Sequence, residues 1–218
     1  MRLEPLIAKK FEMKGSEKSR QSLLDENMIK TYAMLMEELA DYSAPANKLA
    51  RMVKDNLCIP VVKGLYETEK TTPGYLLAGR IYGPSYLSFD FALSRYGLIP
   101  EAVYVFTSAT FEKKKTKKYV TPFGTFTYRD IPSEAYPLGI QLVKEGSYAY
   151  QIATPEKALC DKLYSVSPVR NKKELRSLLF EDLRVDETEF GKLNREDLLE
   201  LSKLYHCTNL KMLQKLVR

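Results

Sequence analysis

The sequence holds no tryptophan, one histidine and three cysteines in 218 residues. With His206 alone, most acid–base and metal chemistry loses its usual residue. Cys58, Cys160 and Cys207 are far apart, no CxxC pair exists, and His206 has only Cys207 as a ligand-spaced neighbour. A disulfide framework and a zinc site are both poorly supported, and a reducing, cytoplasmic compartment is expected. Apolar runs are only a few residues long, too short to span a bilayer. Residues 1–15 have no sustained apolar core and carry Glu4 and Glu12, so no secretory signal is expected. A GxxxxGK[ST] loop, a GxGxxG after a strand and an HExxH pair are all missing. Nothing that remains assembles an enzyme, and neither a cofactor nor a metal is expected.

What is present is ordinary for a globular chain. Hydrophobic residues make up 44% and charged residues 28%, with a net charge of +6 and a pI near 9.0. The basic excess permits an anionic partner without requiring one. Residues 1–25 are mixed in charge and rich in Lys, Ser and Glu. They read as an N-terminal arm, either loosely held or lying along DNA phosphates through Lys9, Lys10, Lys14, Lys18 and Arg20. From 26 to 42, Met28, Tyr32, Leu35, Met36 and Leu39 fall on one face, which predicts an amphipathic helix of about four turns.

Residues 43–67 organise the block that follows. Ser43 offers a helix cap and Pro45 suits a first helical turn. Leu49, Met52 and Val53 recur at helical spacing and would pack against the preceding helix. After Asp55 and Asn56 the β-formers Leu57, Ile59, Val61 and Val62 lead into a Lys63-Gly64 turn and a second short strand. Two helices and a ribbon over residues 26–72 predict a winged helix-turn-helix. Residues 73–218 predict a separate mixed α+β domain. Short helices span 75–82 and 89–96, a buried strand 102–106, a hairpin 119–128, and strands 138–143 and 147–152. A helix capped by Thr154 and a helical tail over 172–218 complete it. The fold class is therefore α+β, with a helical C-terminus.

Asn47, Lys48, Arg51 and Lys54 share the outward half of the second helix, and Lys63 sits in the wing turn. A solvated surface would show the same charges. As a DNA reader, Asn47 and Arg51, one turn apart, could meet base edges with bidentate geometry. Lys48, Lys54 and Lys63 would meet phosphates. The run Lys113, Lys114, Lys115, Lys117 and Lys118 reads as a solvated loop guarding a β-segment, a second phosphate patch, or a dock for an acidic protein. In residues 107–110 (TSAT) a hydroxyl nucleophile has no base placed for it, and strand-end hydroxyls bonding a turn suffice. Glu156 and Asp161 read as a helix-dipole partner and a solvated or salt-bridged side chain, and Cys160 as a small hydrophobe.

Residues 48–53 (KLARMV) and 59–67 (IPVVKGLYE) resemble the N-terminal winged helix of AbiEi-type antitoxins of type IV toxin–antitoxin systems. The likeness continues through 83–93 (GPSYLSFDFAL), 96–101 (YGLIPE), 107–110, 123–128 (FGTFTY) and 153–164 (ATPEKALCDKLY). The chain departs from the family's pattern in a longer arm before Met28 and a less basic recognition helix. The resemblance implies a cytoplasmic prokaryotic antitoxin encoded beside a nucleotidyltransferase-like toxin. Such a protein represses its own operon through the winged helix, and its second domain is needed to neutralise the toxin. The alternative is a protein-interaction or enzymatic module in which the winged helix is a scaffold.

Overall fold

The computed structural model describes residues 29–218. The fold is mixed α+β, and the chain divides between Thr72 and Pro73 into two compact units, each with its own sheet. The expected N-terminal arm, residues 1–25, lies outside the described residues.

In the first unit, strand β1 (Lys30–Thr31) leads directly into helix α1 (Tyr32–Glu38), and helix α2 (Pro45–Lys54) follows. Strands β2 (Ile59–Val62) and β3 (Leu65–Glu67) close it, with β3 central in the antiparallel order β1-β3-β2. The helix expected over 26–42 is thus shorter: Lys30 and Thr31 pair with Tyr66 and Leu65 instead of coiling, and residues 26–28 lie outside the described chain. Thr31 then caps α1, its hydroxyl accepting from the Met34 amide. Tyr32, expected on the buried face, is 45% exposed. The cap expected at Ser43 falls one residue later. Ala44 is the N-cap and offers no side-chain bond, so Pro45 at the first position sets the start of α2. Leu35 of α1 and its C-cap Leu39 pack against Leu49 and Met52 of α2 and Cys58 beyond it. Each such leucine buried stabilises the unit by about 1.5–3 kcal/mol.

The second unit is built on a six-stranded mixed sheet in the order β6-β7-β5-β4-β9-β8. A short helical passage, Gly74–Leu77 continuing as α3 (Ala78–Ile81), precedes β4 (Tyr86–Leu87) and α4 (Phe89–Arg95). Strand β5 (Val105–Thr110) pairs with β4 antiparallel and with β7 (Gly124–Asp130) in parallel. Strand β6 (Lys117–Thr121) forms a hairpin with β7, and β8 (Ile140–Glu145) forms one with β9 (Tyr148–Ala153). The strand expected at 102–106 starts later because its pairing begins at Val105, opposite Thr125; Tyr104, before it, is 85% exposed. Likewise β8 begins only after Gly139 turns the chain at φ +67.

Helix α5 (Pro155–Ser165) starts under its Thr154 cap. The tail coils through α6 (Lys172–Ser177), a π turn (Leu178–Asp182), α7 (Glu187–Gly191), α8 (Arg195–Lys203) and α9 (Thr208–Val217). Register fixes what covers each sheet face. Tyr86 opposes Ala109 and donates its hydroxyl to Asp161 of α5. Tyr128 opposes Ser108 and donates to the Ala78 carbonyl of α3. Neighbouring strand residues point to opposite faces, so α5 covers one face and α3 the other. Among the described residues no helix is long and apolar enough to cross a membrane.

Candidate nucleic-acid interface

Helix α2 exposes one side because the other is spent on Leu49 and Met52. Asn47, Arg51 and Lys54 are all exposed on it. Among the described residues, no carboxylate stands within ion-pairing distance of Arg51, Lys54 or Lys63. Among the described residues, their charge is therefore uncompensated by close pairs. Lys48 differs from the other four. It is half-buried, and its ammonium lies 4.8 Å from the centre of the Tyr42 ring, an interaction of about 0.5–1 kcal/mol at such a site.

Lys63 is exposed at the tip of the β2–β3 hairpin. Val62 opposes Leu65, so the turn is only Lys63 and Gly64. Gly64 takes φ +80, where a side chain would be strained, and nothing lies within 4 Å of the place its Cβ would occupy. The Gly64 carbonyl accepts the Tyr32 amide at 2.8 Å, which ties the hairpin tip to the start of α1. A part-buried ion pair completes the frame: Lys30 Nζ reaches both Glu38 carboxylate oxygens at 2.9 Å. The exposed groups of α2 and the turn thus stand on backbone held by hydrogen bonds and packing on both sides.

The five lysines of the 113–118 run do not form one patch. Lys113 is half-buried with its ammonium 5.5 Å from the centre of the Tyr82 ring. The Lys114 amide donates to Asp130 at 2.6 Å, and Lys114 itself turns the chain at φ +55. Lys115 is exposed in the loop. Lys117 and Lys118 are consecutive in edge strand β6, so the pleat sends them to opposite faces. Lysine on an edge strand also discourages pairing with another chain.

In residues 107–110 the hydroxyls lie along β5, with Thr110 at its end. Thr107 donates to the Ser88 carbonyl at 2.6 Å and accepts from the Phe91 amide, and Thr110 donates to Asp130. Ser108 Oγ is buried with no partner, a base included, among the described residues.

A buried polar cluster lies beneath α5. Lys157 and Asp161, one turn apart, form an ion pair at 3.2 Å with both side chains 0% exposed. Lys157 also donates to the Ala135 carbonyl at 2.8 Å and to the Tyr205 hydroxyl. Tyr205 in turn donates to Asp161 Oδ1 at 2.6 Å, while Ser88 and Tyr86 donate to Oδ2 at 2.6 and 3.0 Å. Burial pulls the Lys157 ammonium below its usual range, and Asp161 opposes that pull. Burial, followed by the Asp161 charge, pushes the Tyr86 and Tyr205 phenols far up. Of the two readings of Asp161, salt-bridged holds and solvated does not. Glu156, also buried, accepts the Asn194 amide at 2.9 Å. Cys160 is fully buried, and burial pushes its thiol up. The i, i+4 spacing of Lys157 and Asp161 was the one signal available, and it did not reveal that partners 44 and 75 residues away seal the pair.

No protein-family model matches the chain, and no curated protein shows significant similarity to it. Among the described residues, no three His, Cys, Asp or Glu side chains stand close enough together to hold a metal ion.

Proposed function

We propose that this protein is an AbiEi-type antitoxin that binds its own promoter DNA through the first unit and counters a nucleotidyltransferase-like toxin through the second. The observation that carries the DNA-binding half is the exposed side of α2. Two helices, a two-stranded ribbon and a leading strand on the ribbon's edge are the parts of a winged helix-turn-helix. The helix that would enter the major groove presents Asn47 and Arg51, and among the described residues no carboxylate pairs with Arg51. Lys54 and the hairpin-tip Lys63 flank it as phosphate contacts. Lys48, occupied by Tyr42, contributes less than the other cations.

The antitoxin half rests on the resemblance of residues 83–164 to that family. In this reading the second unit neutralises the toxin without chemistry of its own. The lysines of 113–118, divided between faces, serve as solvated edge charges.

A gel-shift series on the chain's own promoter tests the DNA-binding half. Arg51→Ala removes a base contact and is expected to weaken binding by about 1–3 kcal/mol, with relaxed specificity at one position. Lys63→Ala is expected to weaken all sequences alike and to lower the salt slope by about one. Wild-type shifts from both variants would remove α2 and the hairpin from the interface.

A further inference from the structure

One cavity of the second unit has no part in the proposed function. It measures about 240 Å3 and lies among the α5-covered strands β5 and β7, the start of α4 and the end of α5. Asp90 and Lys162 meet in it as an ion pair at 2.6 Å, their side chains 38% and 17% exposed. Arg129 lines it as well and donates a single hydrogen bond, to the Ser165 carbonyl at 3.2 Å. Among the described residues the rest of its fan of guanidinium donors is uncommitted. Thr127 adds a half-buried hydroxyl with no partner among the described residues. Phe89 and Val166 supply apolar wall.

The backbone beside the cavity is strained and clamped. Phe89 takes φ +53, a region that bulky side chains rarely enter. It is held there through Ser88, whose amide donates to the Thr107 carbonyl at 2.9 Å and whose carbonyl accepts the Thr107 hydroxyl at 2.6 Å. The Ser88 hydroxyl is fixed on Asp161. Strain of this kind persists only where the surroundings over-determine it, and it gathers at ligand sites. An ion pair and an arginine on a helix's last carbonyls could merely finish a structural corner. This corner, however, leaves open space between its charged groups, lined also by Arg129 and Thr127.

We propose that this cavity binds a phosphorylated sugar, free or as part of a nucleoside monophosphate. Lys162 and Arg129 meet the phosphate with charge-assisted hydrogen bonds, which outweigh the single carboxylate. Asp90, released from Lys162, accepts from the sugar hydroxyls, and Thr127 adds a hydroxyl to the phosphate end. The volume, about 240 Å3, falls just below the usual range for ligand pockets and suits a small ligand such as a sugar monophosphate.

The test is calorimetric titration of the full-length chain with ribose 5-phosphate, AMP and inorganic phosphate. The expected result is that the sugar phosphates bind at least about tenfold tighter than inorganic phosphate. Arg129→Met and Lys162→Met are each expected to weaken them by about tenfold or more. Arg129 is exposed, so its variant keeps the unliganded melting temperature and separates binding from folding. Tighter binding of AMP identifies a nucleotide as the ligand, and equal binding identifies the sugar phosphate. Absent heat with both sugar phosphates, inorganic phosphate binding as tightly as they do, or affinity unchanged by Arg129→Met would each overturn the assignment.

Discussion

Asp161 accepts three hydrogen bonds and an ion pair while wholly shut off from water. Replacing a matched buried pair by apolar groups is often neutral, whereas removing one partner strands a charge. Asp161→Asn is accordingly expected to destabilise the second unit by about 3–5 kcal/mol, read from urea unfolding. The double change Lys157→Met with Asp161→Leu is expected to recover most of that loss. A single variant as stable as wild type would mean the pair is already neutral. At this scale the sequence was legible where a residue's role is set by its near neighbours. Thr154 announced a cap, and its hydroxyl accepts the Lys157 amide. Cys160 read as a small hydrophobe and is buried. Asp161 was legible as a salt-bridged side chain but not as a buried one, because Tyr86 of β4 and Tyr205, in the turn after α8, reach it from far along the chain.

Among the elements, α2 followed from its spacing: Leu49 and Met52 are buried and Asn47, Arg51 and Lys54 exposed. Strands β2 and β3 followed from their β-branched residues and the Lys63-Gly64 turn. Helix α1 was misplaced at its start because periodicity does not register a two-residue strand. Lys30 and Thr31 carry no apolar alternation; their pairing with β3 decides them. The same limit hid β4, Tyr86–Leu87, whose partners Ala109, Ser108 and Ile152 come from β5 and β9. The candidate interface is affected least by these shifts, since its side chains belong to the two elements that local pattern defines best. The Arg51→Ala and Lys63→Ala measurements therefore address α2 and the hairpin as separate elements. Loss at the first with retention at the second would place the contact on the helix alone.

For the whole molecule, tyrosine dominates the response to alkali. Burial pushes Tyr136 up to about 12, and burial followed by a hydrogen bond to Glu145 does the same for Tyr75. Tyr86, Tyr128 and Tyr205 are pushed higher still, with burial the largest cause in each. A phenol with a raised pKa in the fold stays protonated there after its unfolded counterpart has ionised near 10. Its contribution is complete below about pH 10 and is lost as pH rises through 12. Unfolding free energy is thus expected to fall steadily above pH 10, with phenolate absorbance from the buried rings appearing only on unfolding. Full phenolate titration of a folded chain at pH 11 would show that the rings are open to solvent. Division of the chain between Thr72 and Pro73 sets up the remaining test. Under the proposed function DNA binding belongs to one unit and antitoxicity to the other. The direct measurement is growth of cells expressing the product of the adjacent, nucleotidyltransferase-like reading frame. The toxin is paired with the full chain, with the Arg51→Ala/Lys63→Ala double variant, or with residues 73–218. Restored growth in all three is the expected result; growth restored by none of them, or lost whenever the first unit is removed, would contradict it.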